Sequence, residues 1–224
     1  MNSIDTDIWE VLTTHTMLGA RFPLRMLVIR DGDGGLTLVS PVGISDELAS
    51  ELAAAGEVTT LIAPNLFHHM YLAAAAKRYP DAAIWAPAGL EKKRGDVRFT
   101  TQVRGDDTSV HVPAAGIELR AVGGLPGVGE LSVFHAASRT MYTADMVMNI
   151  TGSAGLYTRA LFWIEGVWQR PAVPRLMRLL TKDKAALAAT ARHWKEKWAP
   201  LRIAPGHGAL VENAAELLAR EFPA

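Results

Sequence analysis

His207 stands between two glycines in Ala204-Pro205-Gly206-His207-Gly208, directly after the apolar residues 201–204. A histidine held by glycines at the end of a predicted strand is presented on a bare backbone turn, as a metal ligand is. Other ligand types fall at similar places. His68 and His69 follow the apolar residues 58–63, and Asp145 follows residues 140–143 in Thr143-Ala144-Asp145. Loops at one edge of a sheet commonly share a site. His68, His69, Asp145 and His207 are therefore expected to converge. Three imidazoles and a carboxylate suit zinc, with iron or manganese as alternatives. Neighbouring histidines on a regular helix point about 100° apart. The pair can share one metal only if His68 lies at the helix entry. A lone vicinal pair reads first as a cap plus a packed histidine.

The remaining histidines carry weaker signals. His135 ends a strand and reads as structural. His111 alternates with Val110 and Val112 and is expected to face solvent, as is His193 beside Lys195 and Lys197. His15 lies in a threonine-rich segment that could approach the mouth of the site. Asn65 reads as the Asx turn that starts a helix, with orientation of His68 or weak ligation as alternatives. The glycines at 123, 124, 127 and 129 lack the Lys-Ser/Thr of a phosphate loop, and no Gly-x-Ser-x-Gly nucleophile elbow occurs.

The elements that must position these residues can be read from periodicity and breakers. Strands are predicted at 24–30, 36–40, 58–63 and 83–86, with helices at 46–55 and 67–79 among them. Short strands follow at 99–103, 109–112, 117–122, 130–135 and 140–143. A helix at 183–198, a strand at 201–204 and a helix at 212–222 complete the chain. Residues 146–178 resist assignment. This order predicts a mixed α/β (α+β) fold with two sheets packed face to face and helices outside, an αββα layering over 1–224.

Composition narrows the chemistry. The 224 residues are 49% apolar and carry formal net charge zero, which gives no electrostatic footprint for nucleic acid. There is no cysteine, so thiolate metal sites, Fe–S clusters, disulfides and cysteine nucleophiles are excluded together. Residues 1–10 are polar, with Asp5, Asp7 and Glu10, and do not look like a secretory signal; no apolar run reaches the length of a membrane span. The chain is expected to be cytoplasmic, without a membrane or nucleic-acid partner.

Three segments resemble the metallo-β-lactamase fold superfamily, and in particular a domain family of unknown function within it. They are Ala63-Pro64-Asn65-Leu66-Phe67-His68-His69, Ser138-Arg139-Thr140-Met141-Tyr142-Thr143-Ala144-Asp145, and Ala204-Pro205-Gly206-His207-Gly208. The resemblance implies a four-layer αββα sandwich. Laid on this chain, the superfamily's His-x-His-x-Asp-His motif places its last histidine on His69 and its aspartate on His68. Its first two histidines fall on Pro64 and Leu66, and a further histidine falls near Leu125. The bridging aspartate falls on Asp145 and the final histidine on His207. One metal site has lost all its histidines, while every position of the other keeps a donor.

The resemblance therefore implies a mononuclear metal-dependent hydrolase with metal ligands His68, His69, Asp145 and His207. Asp145 would also serve catalysis, and the substrate would be a small ester, thioester, lactone or phosphoester. The rival expectation is a metal-free member that serves as a binding module. In the superfamily an insertion often covers the site, and residues 151–180 match that place. They hold Arg159, Arg170, Arg175 and Arg178 against one acid, Glu165. A lid over an anionic substrate is one reading. A helical insertion with a solvated basic face and with Trp163 and Trp168 docked in the core is the other, and it is the one preferred.

Overall fold

In a computed structural model, which describes residues 1–17, 19–107, 109–152 and 154–223, the chain forms two sheets. The first contains β1 (Asn2–Asp5), β2 (Ile8–Met17), β3 (Ala20–Arg30), β4 (Gly35–Val39), β5 (Glu57–Ile62), β6 (Ala83–Pro87) and β7 (Thr101–Val103), in that spatial order. Its first four strands pair antiparallel. From β4 onward the pairing is parallel, because α1 (Asp46–Ala55) and α2 (Leu72–Arg78) supply crossovers. The second sheet contains β8 (His111–Ala114), β9 (Ile117–Ala121), β10 (Leu131–His135), β11 (Thr140–Asn149) and β12 (Arg202–Gly208). They are ordered β12-β11-β10-β9-β8, and only β11–β12 is parallel.

Alternation along the strands builds the layers. In β3, Met26 and Val28 pack outward with Leu48 and Leu52 of α1, while Leu27 and Ile29 pack inward between the sheets. In β11, Met141 faces outward and Tyr142 and Ala144 inward. The outward side is covered by α4 (Arg175–Leu180), by α5 (Lys184–His193) with its π-helical continuation Trp194–Trp198, and by α6 (Ala214–Glu221). Each full burial of a leucine or isoleucine contributes about 1.5–3 kcal/mol, so strands buried on both faces hold firmly. The αββα layering is the architecture expected from the sequence.

Several local expectations are corrected. The polar-looking start of the chain forms β1 and β2, and β2 pairs along its whole length with β3. Helix α2 begins at Leu72, so His68 and His69 lie in a non-helical turn ahead of it. Residues 146–149 extend β11, and residues 151–180 contain α3 (Leu156–Glu165) and α4. Trp163 is 70% exposed on α3, not docked in the core. His207 belongs to β12 and is buried. Among the described residues, no helix is long and apolar enough to cross a membrane.

Candidate metal centre

Four strands, β4, β5, β11 and β12, bring the donors and their partners together. Ser40 follows β4 with a left-handed φ of 57°. Asn65 and His68 follow β5. Asp145 lies in β11 where its pairing is irregular: the register passes from Thr143 opposite Pro205 to Met148 opposite His207. The extra residues bulge out and carry Asp145. On the neighbouring strand, Gly206 and Gly208 allow a close approach to β11. A Cβ on Gly206 would stand 2.7 Å from the Ala144 carbonyl oxygen, and one on Gly208 2.0 Å from that of Asn149.

The result is a triangle of His68, Asp145 and His207. His68 Nε2 lies 3.1 Å from His207 Nε2. Asp145 Oδ1 lies 3.1 Å from His207 Nε2 and 3.6 Å from His68 Nε2. Donors at about 2.0–2.2 Å from a tetrahedral zinc are roughly 3.3–3.6 Å apart. The observed triangle therefore needs little adjustment to hold such an ion, and a fourth position remains for another ligand.

The outer partners set the imidazole roles. The Pro23 carbonyl lies 2.8 Å from His207 Nδ1, so that nitrogen carries the proton and donates. In the neutral ring Nε2 is then left with its lone pair toward the triangle. Ser40 Oγ stands 3.0 Å from His68 Nδ1 and holds that ring in place. Arg25, buried beneath the site, donates to the Pro205 carbonyl and pairs with Glu10 at 2.8 Å. It fixes the backbone just before His207.

Asp145 is held by a second network. Asn65 Oδ1 accepts from the backbone N–H of Phe67 (2.9 Å) and His68 (2.8 Å), the expected Asx turn. Its Nδ2 donates to Asp145 Oδ2 at 2.6 Å and Glu130 Oε2 at 2.8 Å. Glu130 Oε1 accepts from the backbone N–H of Asp145 and Met146. Burial, reinforced by the neighbouring Asp145 charge, pushes the Glu130 carboxyl up to about 8. Burial also opposes charge on Asp145, but the His68 and His207 rings outweigh it and hold that carboxyl well below the usual range. Burial likewise opposes charge on His207, and the Asp145 carboxylate overcomes it, raising the imidazole.

Three of the four expected donors thus meet, and His69 does not join them. Its ring lies by Arg94 and Lys93, with Nδ1 buried and unpartnered. In the tight turn before α2, consecutive side chains point apart, so only one of the two histidines can face the triangle. Glu130 and Ser40 were not singled out by the sequence. A glutamate heading an apolar strand was the available signal for the first; a strand-end serine offered none for the second. His135 is buried and bonded to Ser138 at 2.8 Å, a structural role. His111 pairs with Asp107, and His193 packs edge-on against Trp198. Both are half-buried, not open to solvent.

The triangle forms the floor of a cavity of about 390 Å³. Phe22, Leu24, Phe67, Met70, Met148, Leu161, Phe162, Met177 and Leu180 line it, with His15 at its edge as the sequence allowed. None of the four arginines of 151–180 is in the lining. Arg159 stacks on Trp168 with its guanidinium 5.6 Å from the ring centre, and Arg178 pairs with Glu221.

Comparison with known proteins agrees with this geometry at the level of fold. Residues 5–90 match the model of a domain of unknown function, DUF4336. No curated protein matches the chain. Among solved structures, the metallo-β-lactamase DIM-1 exposed to ceftazidime is 14% identical with a TM-score of 0.65, covering 97% of this chain and 91% of its own. A metallo-β-lactamase from Erythrobacter litoralis with β-mercaptoethanol in its active site is 16% identical, with a TM-score of 0.64 over 98% and 95% of the two chains. FIM-1 from Pseudomonas aeruginosa, in a mono-zinc form, is 14% identical with a TM-score of 0.62 over 98% and 92%. The chain is a metallo-β-lactamase-fold protein whose residues 5–90 match a domain family of unknown function.

Proposed function

We propose that the protein is a mononuclear metal-dependent hydrolase, with zinc held by His68, Asp145 and His207. The observation that carries this is the convergence of three donor atoms, all within 4.8 Å of one another, on the floor of a cavity. A divalent cation there supplies Lewis acidity and acidifies water in its open position. The chain's own residues do the rest. Pro23 and Ser40 aim the two imidazoles, Asn65 occupies Asp145 Oδ2 so that Oδ1 faces inward, and the apolar walls exclude bulk water. Esters, thioesters, lactones and phosphoesters are the substrate classes for such a centre. The experiment is elemental analysis of protein purified without a histidine tag, followed by assay against one member of each class. One equivalent of metal and hydrolysis that a chelator stops are expected. Absence of metal under every reconstitution condition refutes the reading.

Two observations favour other readings. With His69 outside the triangle, two histidines and one carboxylate remain, a set that also serves non-haem iron. A colour or an EPR signal from the purified protein would select it. The 3.1 Å contact between His207 and Asp145 is also a good ion pair without any metal. A protein that stays metal-free would be a binding module whose triangle is structural.

A further inference from the structure

The cavity above the triangle is lined mostly by apolar side chains. Phe22, Phe67, Met70, Leu161, Met177 and Leu180 contribute to its walls, from β3, the turn after β5, α3 and α4. Its titratable lining is His15 and Glu165 besides the triangle itself, and no lysine or arginine is in it. Glu165 is committed to capping, since its Oε2 accepts from the backbone N–H of Leu176 at 2.9 Å. Lys93 lies 5.1 Å over the Phe67 ring and donates to the Leu66 carbonyl. Away from the triangle the wall offers no ion-pair partner to a phosphate or carboxylate carried by the substrate, and its methionines and leucines adapt to a flexible chain.

We propose that this cavity binds an uncharged alkyl or acyl chain, and that the substrate is an acyl ester or lactone with its carbonyl at the triangle and its chain against Leu161, Met70 and Leu180. The substrate assignment rests on the hydrolytic reading; the binding of the chain does not. In the reaction the water oxygen bonds to the acyl carbon and the acyl–oxygen bond breaks. One water proton ends on the departing oxygen, and the other is released when the product acid ionises. The same wall holds none of the arginines of 151–180, so it lends no support to the reading of that segment as a lid over an anionic substrate.

The test separates chain binding from chemistry. Displacement of the uncharged dye Nile red by 1-butanol, 1-hexanol and 1-octanol is measured on chelator-treated protein. Affinity is expected to rise roughly fourfold with each added CH₂, the equivalent of about 0.8 kcal/mol. Leu161→Glu and Met70→Glu, both at partly exposed positions, are expected to weaken octanol binding at least tenfold, and Arg159→Ala to leave it unchanged. A flat dependence on chain length, or octanol binding retained in both variants, overturns the proposal. In parallel, p-nitrophenyl acetate and octanoate are compared with the metal restored. A kcat/KM that rises with chain length supports the chain site and the hydrolytic reading together. Steep alkanol binding without turnover of either ester keeps the chain site and removes the hydrolytic reading. Turnover of both esters with no preference and flat alkanol binding removes the chain site alone.

Discussion

His68 and His207 face each other through their Nε2 atoms at 3.1 Å, with Asp145 Oδ1 closing the triangle. With both Nε2 lone pairs turned inward, a cation between the rings relieves their repulsion; with a proton on His68 Nε2 the same contact is a hydrogen bond.

Zinc added to chelator-treated protein is therefore expected to raise the unfolding temperature. Saturation at about 100 times Kd corresponds to about 2.7 kcal/mol. His68→Ala and His207→Ala abolish the shift, and His69→Ala retains it. Ser40→Ala, which removes the hydroxyl beside His68 Nδ1, weakens zinc binding by about 10–100-fold. Calorimetric titration of the four variants checks this ordering. Equal losses for His69 and His207 would overturn the placement of His69 outside the centre.

Once ionised, above about pH 8, Glu130 accepts on both oxygens: from two backbone N–H groups on Oε1 and from Asn65 on Oε2. A glutamine offers only one acceptor atom, so Glu130→Gln then leaves a donor facing a donor in either amide orientation. A loss of about 1–3 kcal/mol relative to the ionised glutamate is expected by urea unfolding on the alkaline side of that titration. Full stability of Glu130→Gln would show that the network is not under this constraint.

Gly208 has a φ of 94°, and a Cβ there would meet the Asn149 carbonyl oxygen at 2.0 Å. Gly208→Ala must shift β12 away from β11, beside His207. Strain of about 1–3 kcal/mol from the backbone conformation alone is expected, with zinc binding reduced alongside. Unfolding and zinc titration on one preparation test both halves of the expectation.

His135 and His193 are held neutral chiefly by burial, which lowers each below the ordinary 6.5. Below pH 6.5 the unfolded chain binds protons that the folded chain still refuses. Their share of stability is complete above that pH and is lost as pH falls toward the depressed folded values. The urea midpoint is expected to drop between pH 7 and pH 5, less steeply in His135→Gln. An identical slope in the variant would remove His135 as a source.

Much of the architecture was legible because it rests on local alternation. Met26 and Val28 against Leu27 and Ile29 announce a strand buried on both faces wherever it packs. The strands of residues 117–122 and 130–135 were readable for the same reason, and the helix expected at 183–198 begins within one residue of α5. Strand β2 was missed although its β-branched and aromatic residues favour a strand, because its polar neighbours obscured the pattern.

The candidate centre divides along the same line. From sequence, His68, His69, Asp145 and His207 were all expected together just beyond strand ends; Asp145 and His207 instead lie within β11 and β12, and only His68 of the adjacent pair joins them. Which histidine faces inward depended on the turn before α2. Ser40 and Glu130 joined only when β4 and β10 were set beside β5 and β11. His68 and His207 are 139 residues apart in the chain and one hydrogen-bond length apart in space. Periodicity reports which face of an element is buried, but not which distant face it meets, so only the packing of the two sheets could close that gap.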